Sequence, residues 1–157
     1  NFGYKQWRIN HSGTSGTVGW RVNYQKEKSK DFKDGQGNTI PSRNDQDSYA
    51  FALTKKINDR GMLTLSYGKE KSDFMYADTN KKLDKIRYGK TDEDNLRFSF
   101  NYNVSDDIKN ELNLYRHGRD SVYDTWKMDL ETWGISDQVN YRINPKHLLV
   151  MGGLLQG

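Results

Sequence analysis

Three very short breaks punctuate this chain, at Asn58-Asp59-Arg60, Ser105-Asp106-Asp107 and Asn144-Pro145-Lys146. Each separates two runs in which apolar and polar residues alternate, and a fourth break at residues 11–16 has the same character. Between the tight breaks lie three long polar stretches, residues 25–48, 68–95 and 116–131. Short and long connections alternating between runs of strand length are the pattern of a transmembrane β-barrel, with short periplasmic turns and long extracellular loops. Soluble sandwiches space their turns more evenly. Long connections repeated on one side only point to function on that side.

The runs themselves have the period of strands. Val18, Trp20, Val22 and Tyr24 alternate with Gly19, Arg21 and Asn23, and Leu96, Phe98, Phe100 and Tyr102 alternate with Arg97, Ser99 and Asn101. The same alternation recurs over 49–57, 63–67, 108–115 and 138–143. It is less clean over 2–10, while 147–155 is apolar on both faces. Successive side chains of a strand point to opposite faces, so each strand carries one apolar and one polar wall. Tyr24, Tyr49, Tyr67, Tyr102 and Tyr141 sit toward the ends of the apolar wall, as in the aromatic girdles of membrane proteins. The expectation is an all-β fold: an antiparallel transmembrane β-barrel segment of about eight strands, filling residues 1–157 as one unit, with no internal repeat beyond the hairpin rhythm.

Composition agrees. Only 33% of residues are hydrophobic, yet 13% are aromatic, a share too high for a disordered chain. Fourteen glycines and two prolines suit a sheet whose second face is polar, and the absence of cysteine excludes disulfides and thiolate chemistry. The three long stretches have balanced charge, with five basic and five acidic residues, then seven and seven, then three and four. They read as solvated loops. The excess of positive charge lies in the strands rather than in one clustered face, which argues against nucleic acid as a partner.

If the tight turns are periplasmic, the first strand descends from outside and the last rises to end outside. A complete small barrel has both ends in the periplasm and finishes on an aromatic residue. This chain finishes Leu155-Gln156-Gly157, so the expectation is an internal portion of a larger barrel. Residues 133–153, from Trp133-Gly134-Ile135 through Asn144-Pro145-Lys146-His147-Leu148 to Gly152-Gly153, resemble a mid-barrel hairpin of TonB-dependent outer-membrane receptors. Asp47-Ser48-Tyr49-Ala50 and Leu65-Ser66-Tyr67-Gly68 resemble that barrel's early hairpins. One departure is Leu154, where such receptors often carry Glu. The resemblance implies roughly the second to ninth strands of a plugged barrel of about twenty-two, in the bacterial outer membrane. It also implies uptake of a scarce nutrient, most plausibly a ferric siderophore. The partners it implies are outer-membrane lipid, the TonB complex acting through a plug not included in these residues, and an anionic iron chelate or similar small ligand.

No catalytic constellation is present, and no cofactor or enzymatic activity is expected. His11, His117 and His147 have no metal-ligand spacing, and Asp92-Glu93-Asp94 lacks the glycine and spacing of a calcium loop. The candidates for ligand contact form two groups. On the polar wall are arginines, Arg21 and Arg97 with Arg8 and Arg142, whose planar forks suit carboxylates, catecholates or phosphates. In the long stretches are Arg43, Phe74, Tyr76, Arg87, Arg116, His117, Arg119, Tyr123 and Trp126, where aromatics beside Arg can stack on a flat anion while neutralising it. The alternative readings are a small outer-membrane adhesin, or a soluble β-sandwich that binds sugars.

Overall fold

The computed structural model describes residues 3–77, 86–124 and 126–157. Ten strands run in order: β1 Lys5–Ser15, β2 Val18–Ser29, β3 Phe32–Lys33, β4 Thr39–Ile40, β5 Asn44–Lys56, β6 Gly61–Ala77, β7 Ile86–Asn103, β8 Ile108–Tyr123, β9 Trp126–Asn144 and β10 His147–Gln156. Eight of them form one antiparallel meander, β1-β2-β5-β6-β7-β8-β9-β10, and β3 pairs with β4 in a small separate hairpin. The all-β antiparallel fold of eight strands is therefore as the alternation predicts.

The tight turns are built by the residues that open them. Asn58 Oδ1 accepts the Arg60 amide at 2.8 Å, and Asn144 Oδ1 accepts the Lys146 amide at 3.0 Å. Ser105 Oγ accepts the amides of Asp107 and Ile108 at 3.3 and 3.1 Å. Short polar side chains mimic a backbone turn in this way. The fourth break is shorter than the sequence predicts. β1 continues through His11 to Ser15, and only Gly16-Thr17 turn the chain, with Gly16 at φ +58°. A two-residue hairpin needs positive φ at its first position, which glycine supplies without strain.

The three long stretches are the main correction. β6 extends to Ala77, and β7 starts at Ile86; residues 78–85 of that stretch lie outside the described residues. β8 and β9 pair from Ile108↔Tyr141 up to Tyr123↔Trp126, so residues 116–131 are almost wholly strand. Among the described residues, only the β2–β5 connection holds an insertion, the β3–β4 hairpin. Polar composition made these segments read as loops. Their charges instead pair across strands. On β2, Lys26 and Lys28 face Asp47 and Asp45 of β5, with Nζ–Oδ distances of 2.8 and 2.7 Å for Lys26–Asp47 and Lys28–Asp45. On β6, Lys69 and Lys71 both reach Asp92 of β7, at 3.0 and 3.4 Å. Arg116 of β8 bonds Asp94 of β7 at 2.9 Å and Glu131 of β9 at 2.8 Å. These groups form a collar across six strands, in which each of these cations meets a carboxylate across the ladder, while Asp120 faces Asp92 and Asp129. A short sequence recurrence beyond the hairpin rhythm also lies here, Tyr24-Gln25-Lys26-Glu27-Lys28-Ser29 on β2 and Tyr67-Gly68-Lys69-Glu70-Lys71-Ser72 on β6, set two residues out of line so that Lys26 shares its row with Lys71.

One face of the sheet is apolar. A single hydrogen-bonded row contains Trp20, Leu53, Leu65, Phe98, Leu114, Ile135 and Leu155. Tyr24, Tyr49 and Tyr67 close the band below the collar, and Tyr102 and Tyr141 close it near the tight turns. Asp137 interrupts it, accepting a hydrogen bond from Asn110 at 2.6 Å. The band crosses the rows obliquely. Its lower edge is Leu53 on β5 but Tyr141 on β9, six residues below Ile135, the member of Leu53's row on that strand. Its upper edge drops less, from Tyr24 to Trp133. The mean descent is roughly one residue per strand, about 3.3 Å in about 4.8 Å, or a strand tilt of about 35° to the band's normal. Barrel walls have this tilt. No large apolar residue is buried among the described residues, and Phe51, Leu65, Leu96, Leu114 and Ile135 are all exposed.

The collar lies beyond the apolar band, and its carboxyls set a pH response. The Lys26 hydrogen bond, ahead of the partial loss of hydration that opposes it, holds Asp47 below its ordinary value. Dehydration pushes Asp92 up, but Lys69 and Lys71 outweigh it and bring the net shift down. Asp120 moves the other way, raised first by its hydrogen bond with Asp129 and then by that group's charge. A lowered carboxyl contributes stability that is complete above the unfolded value and lost as pH falls through the folded one. Amide hydrogen exchange, corrected for intrinsic rates, should therefore show the β2–β5 and β6–β7 tips opening once pH falls below about 4. The raised Asp120 gives the opposite sign: it takes up its proton in the folded state first, so the β8–β9 tip should gain protection before pH reaches the range in which the other two tips open.

Candidate functional site

The polar face of the sheet collects most of the predicted ligand residues. Side-chain parity along unbroken registers puts Arg21, Arg97, Tyr76, Arg87, His117, Arg119, Tyr123 and Trp126 on this face. Arg116 projects from the other face, into the collar. Arg43 lies just before β5, where its amide donates to Asp31 Oδ1 at 2.9 Å and its carbonyl accepts from the Met75 amide at 2.8 Å.

At the far end of the long hairpins the polar face carries an aromatic row. Phe74, Gly89, Tyr123 and Trp126 are direct cross-strand neighbours on β6, β7, β8 and β9. Ring centroids are 5.8 Å apart for Phe74–Tyr123 and 5.4 Å for Tyr123–Trp126, and Tyr76 joins Phe74 at 6.0 Å. These separations are those of favourable aromatic pairs. The row closes across β7 because Gly89 has no side chain: the Phe74 ring occupies the place of its Cβ. Opposite Tyr76, Arg87 Nη1 reaches Asp124 at 3.1 Å, and Asp124 turns the β8–β9 tip with φ +55°.

Two residues further along each strand, roughly 7 Å, Ser72, Thr91 and Ser121 make a row of small hydroxyl side chains, with Ser121 the most deeply buried polar group described. Beyond them Glu93 stands near His117 and Arg119. Its carboxylate oxygens lie 3.9 Å from His117 Nδ1 and 3.9 Å from Arg119 Nε, and Arg119 Nε also donates to Ser121 at 3.3 Å. Glu70 faces Glu93 directly and accepts from Ser48 at 3.3 Å. Deeper still, Arg97 lies between Ser66 and Tyr115, and Arg21 between Ser12 and Ala52. Neither guanidinium has a carboxylate partner among the described residues, whereas Arg8 donates to Gln25 at 2.8 Å. Arg21 borders a hollow of about 680 Å³ near the β1–β2 turn.

The polar face is thus graded: stacked rings at the hairpin tips, then hydroxyls, then mixed charges, then two uncompensated arginines. Such a face can stack a flat or ring-bearing solute and pass an anion inward. It holds no group of three or more His, Cys, Asp or Glu residues able to bind a metal ion among the described residues. Gly89, Glu93 and Ser121 were not predicted as part of the site. Gly89 becomes visible only once β6 and β7 are in register.

No protein-family profile matches the sequence, and no curated protein matches it. Among solved structures, the copper transporter OprC is similar over 96% of this chain, with a TM-score of 0.49 and 14% sequence identity. The match covers 34% of the OprC chain, so the present chain spans about a third of that protein's length.

A side chain at Gly89 tests the aromatic row. Gly89→Val should displace the Phe74 ring and uncouple it from Tyr123, with loss of near-ultraviolet circular dichroism and a shift in Trp126 emission. Gly35→Val, in open space near the β3–β4 hairpin, should change neither signal.

Proposed function

We propose that the chain is wall of an outer-membrane β-barrel transporter, with its apolar face against lipid and its polar face lining the path of a small solute. The observation that carries this reading is the tilted apolar band. It runs across the sheet, is edged by tyrosines, and covers no apolar core among the described residues. In water such a face costs about 25 cal/mol for each Å² exposed. Six residue steps separate Gly61 from Tyr67 on β6, about 20 Å of strand and about 16 Å along the membrane normal at that tilt, which fits within the roughly 25 Å apolar belt of outer-membrane barrels. A soluble sandwich would cover the same face with a second sheet, and the small β3–β4 hairpin is the only other sheet among the described residues.

Within that reading the solute is an anionic or ring-bearing small molecule. It meets Tyr76, Phe74, Tyr123 and Trp126 first and then Arg97 and Arg21. Energy coupling through TonB, and a ferric chelate as cargo, follow from the sequence resemblance alone and belong to the whole transporter.

Folding into lipid separates the two faces. Leu65→Arg places a charge mid-band and should weaken folding into phosphatidylcholine vesicles by about 2–4 kcal/mol in urea titrations. Thr64→Arg, on the polar face of the same strand, should cost far less. Equal penalties at the two positions would refute a lipid-facing band. In the full transporter, Arg97→Ala with Arg21→Ala should lower uptake of an anionic solute, and unchanged uptake would leave both arginines structural.

A further inference from the structure

At the outer rim of the collar, on the apolar side of the sheet, a cleft of about 670 Å³ opens over β1, β2, β5, β6 and β7. Its floor is one hydrogen-bonded row, Lys5, Lys28, Asp45, Asp73 and Lys90. Lys30 and Arg43 line it one step further out, and Trp7 and Tyr88 flank it, with 51% and 56% of their surfaces exposed.

The charges of this cleft do not balance as the collar's do. Five cations meet two carboxylates. Both carboxylates are already engaged, Asp45 by Lys28 at 2.7 Å and Asp73 by Lys90 at 3.5 Å. Lys5, Lys30 and Arg43 have no acidic partner among the described residues. Lys5 moreover stands directly opposite Lys28, and like charges directly opposite one another destabilise a sheet. Elsewhere in the collar Lys26, Lys69, Lys71 and Arg116 each meet a carboxylate across the ladder. Here the missing countercharge leaves room for an anion. A multivalent oxyanion accepts several cationic donors at once, as charge-assisted hydrogen bonds require.

We infer that this cleft binds a phosphate-bearing headgroup of the surrounding outer leaflet. The inference rests on the lipid-facing reading above. Lys28 lies four residues past Tyr24 on the same side of β2, about 13 Å along the strand and about 11 Å along the membrane normal at the tilt derived above. The polar headgroup layer is about 5–7 Å thick on each side, so the Lys5–Lys28 row lies about 4 Å outside it, a gap that a long cationic side chain or a headgroup's own phosphate can span. Trp7 and Tyr88 supply the amphipathic rings that favour such an interface. A soluble ligand of the transport path would meet the opposite face.

The test uses the full chain in nanodiscs of phosphatidylglycerol diluted in phosphatidylcholine, with retained lipids counted by native mass spectrometry. The unmodified chain should retain anionic lipid selectively. Lys5→Ser combined with Lys30→Ser and Arg43→Ser should weaken that retention by roughly fivefold per cation removed, about a hundredfold in all. Lys109→Ser combined with Lys146→Ser, at the tight-turn end, should leave it unchanged. Equal retention by the unmodified chain and the triple variant overturns the inference. So does saturable binding of inorganic phosphate in lipid-free micelles with no retained lipid, which would make the site one for a soluble anion. Folding into pure phosphatidylcholine vesicles is the separate control. The triple variant should fold there normally, and failure of the unmodified chain to do so would sink the lipid-facing reading itself.

Discussion

A sheet one layer thick satisfies its backbone by pairing strands, but it cannot remove an apolar face from water. That is the physical condition on which the rest of this structure depends. The ladder from β1 to β10 is continuous, so the peptide groups of the inner strands are paired. The row from Trp20 to Leu155 has no such resolution, because among the described residues nothing lies over it. Whatever covers that face sets the stability of the fold. A hydrocarbon layer does so without a second sheet, and it imposes two marks that a protein partner would not. The band must end at a common depth on neighbouring strands, and it must cross tilted strands obliquely. The tyrosine edges and the descent of about one residue per strand are those two marks.

The same alternation gives consecutive residues opposite fates. Arg116 and His117 are adjacent, yet Arg116 locks β8 to β7 and β9 in the collar, while His117 stands beside Glu93 on the polar face. The collar keeps the hairpins ordered past the apolar band, which leaves the other face free of that task. Rings, hydroxyls and arginines can therefore be carried out on long strands, where side-chain directions are fixed, rather than on loops, where they are not.

Much of this is legible in the sequence, and the part that is not has a physical reason. The apolar alternation predicts the strands and both tyrosine edges, since period two is a local property. The strand ends are hidden because Lys26-Glu27-Lys28 and Asp92-Glu93-Asp94 have the composition of solvated loops. They become strand only when Lys meets Asp across the ladder, a relation between segments some twenty residues apart. Gly89 is hidden for the same reason. The recurrence of Tyr-x-Lys-Glu-Lys-Ser was open to view and is the local clue that the charged runs are built rather than merely solvated.

The charged rows also do something that the apolar band cannot. A slip of one residue between β6 and β7 would turn the apolar set of one strand onto the polar face, so burial of the band forbids it. A slip of two residues keeps every side chain on its own face, and the band alone resists it weakly. The collar resists it. In one direction Lys71 would move from Asp92 to face Lys90, and Tyr67 would face Asp94 in place of Leu96. In the other, Lys69 would leave Asp94 for Leu96. Like charges set opposite one another and a charge set against an apolar neighbour are both penalised. Face parity and charge sign thus fix register in complementary ways, one excluding odd slips and the other even ones. Strands as long as β6 and β7, with charged residues far beyond the lipid belt, need both.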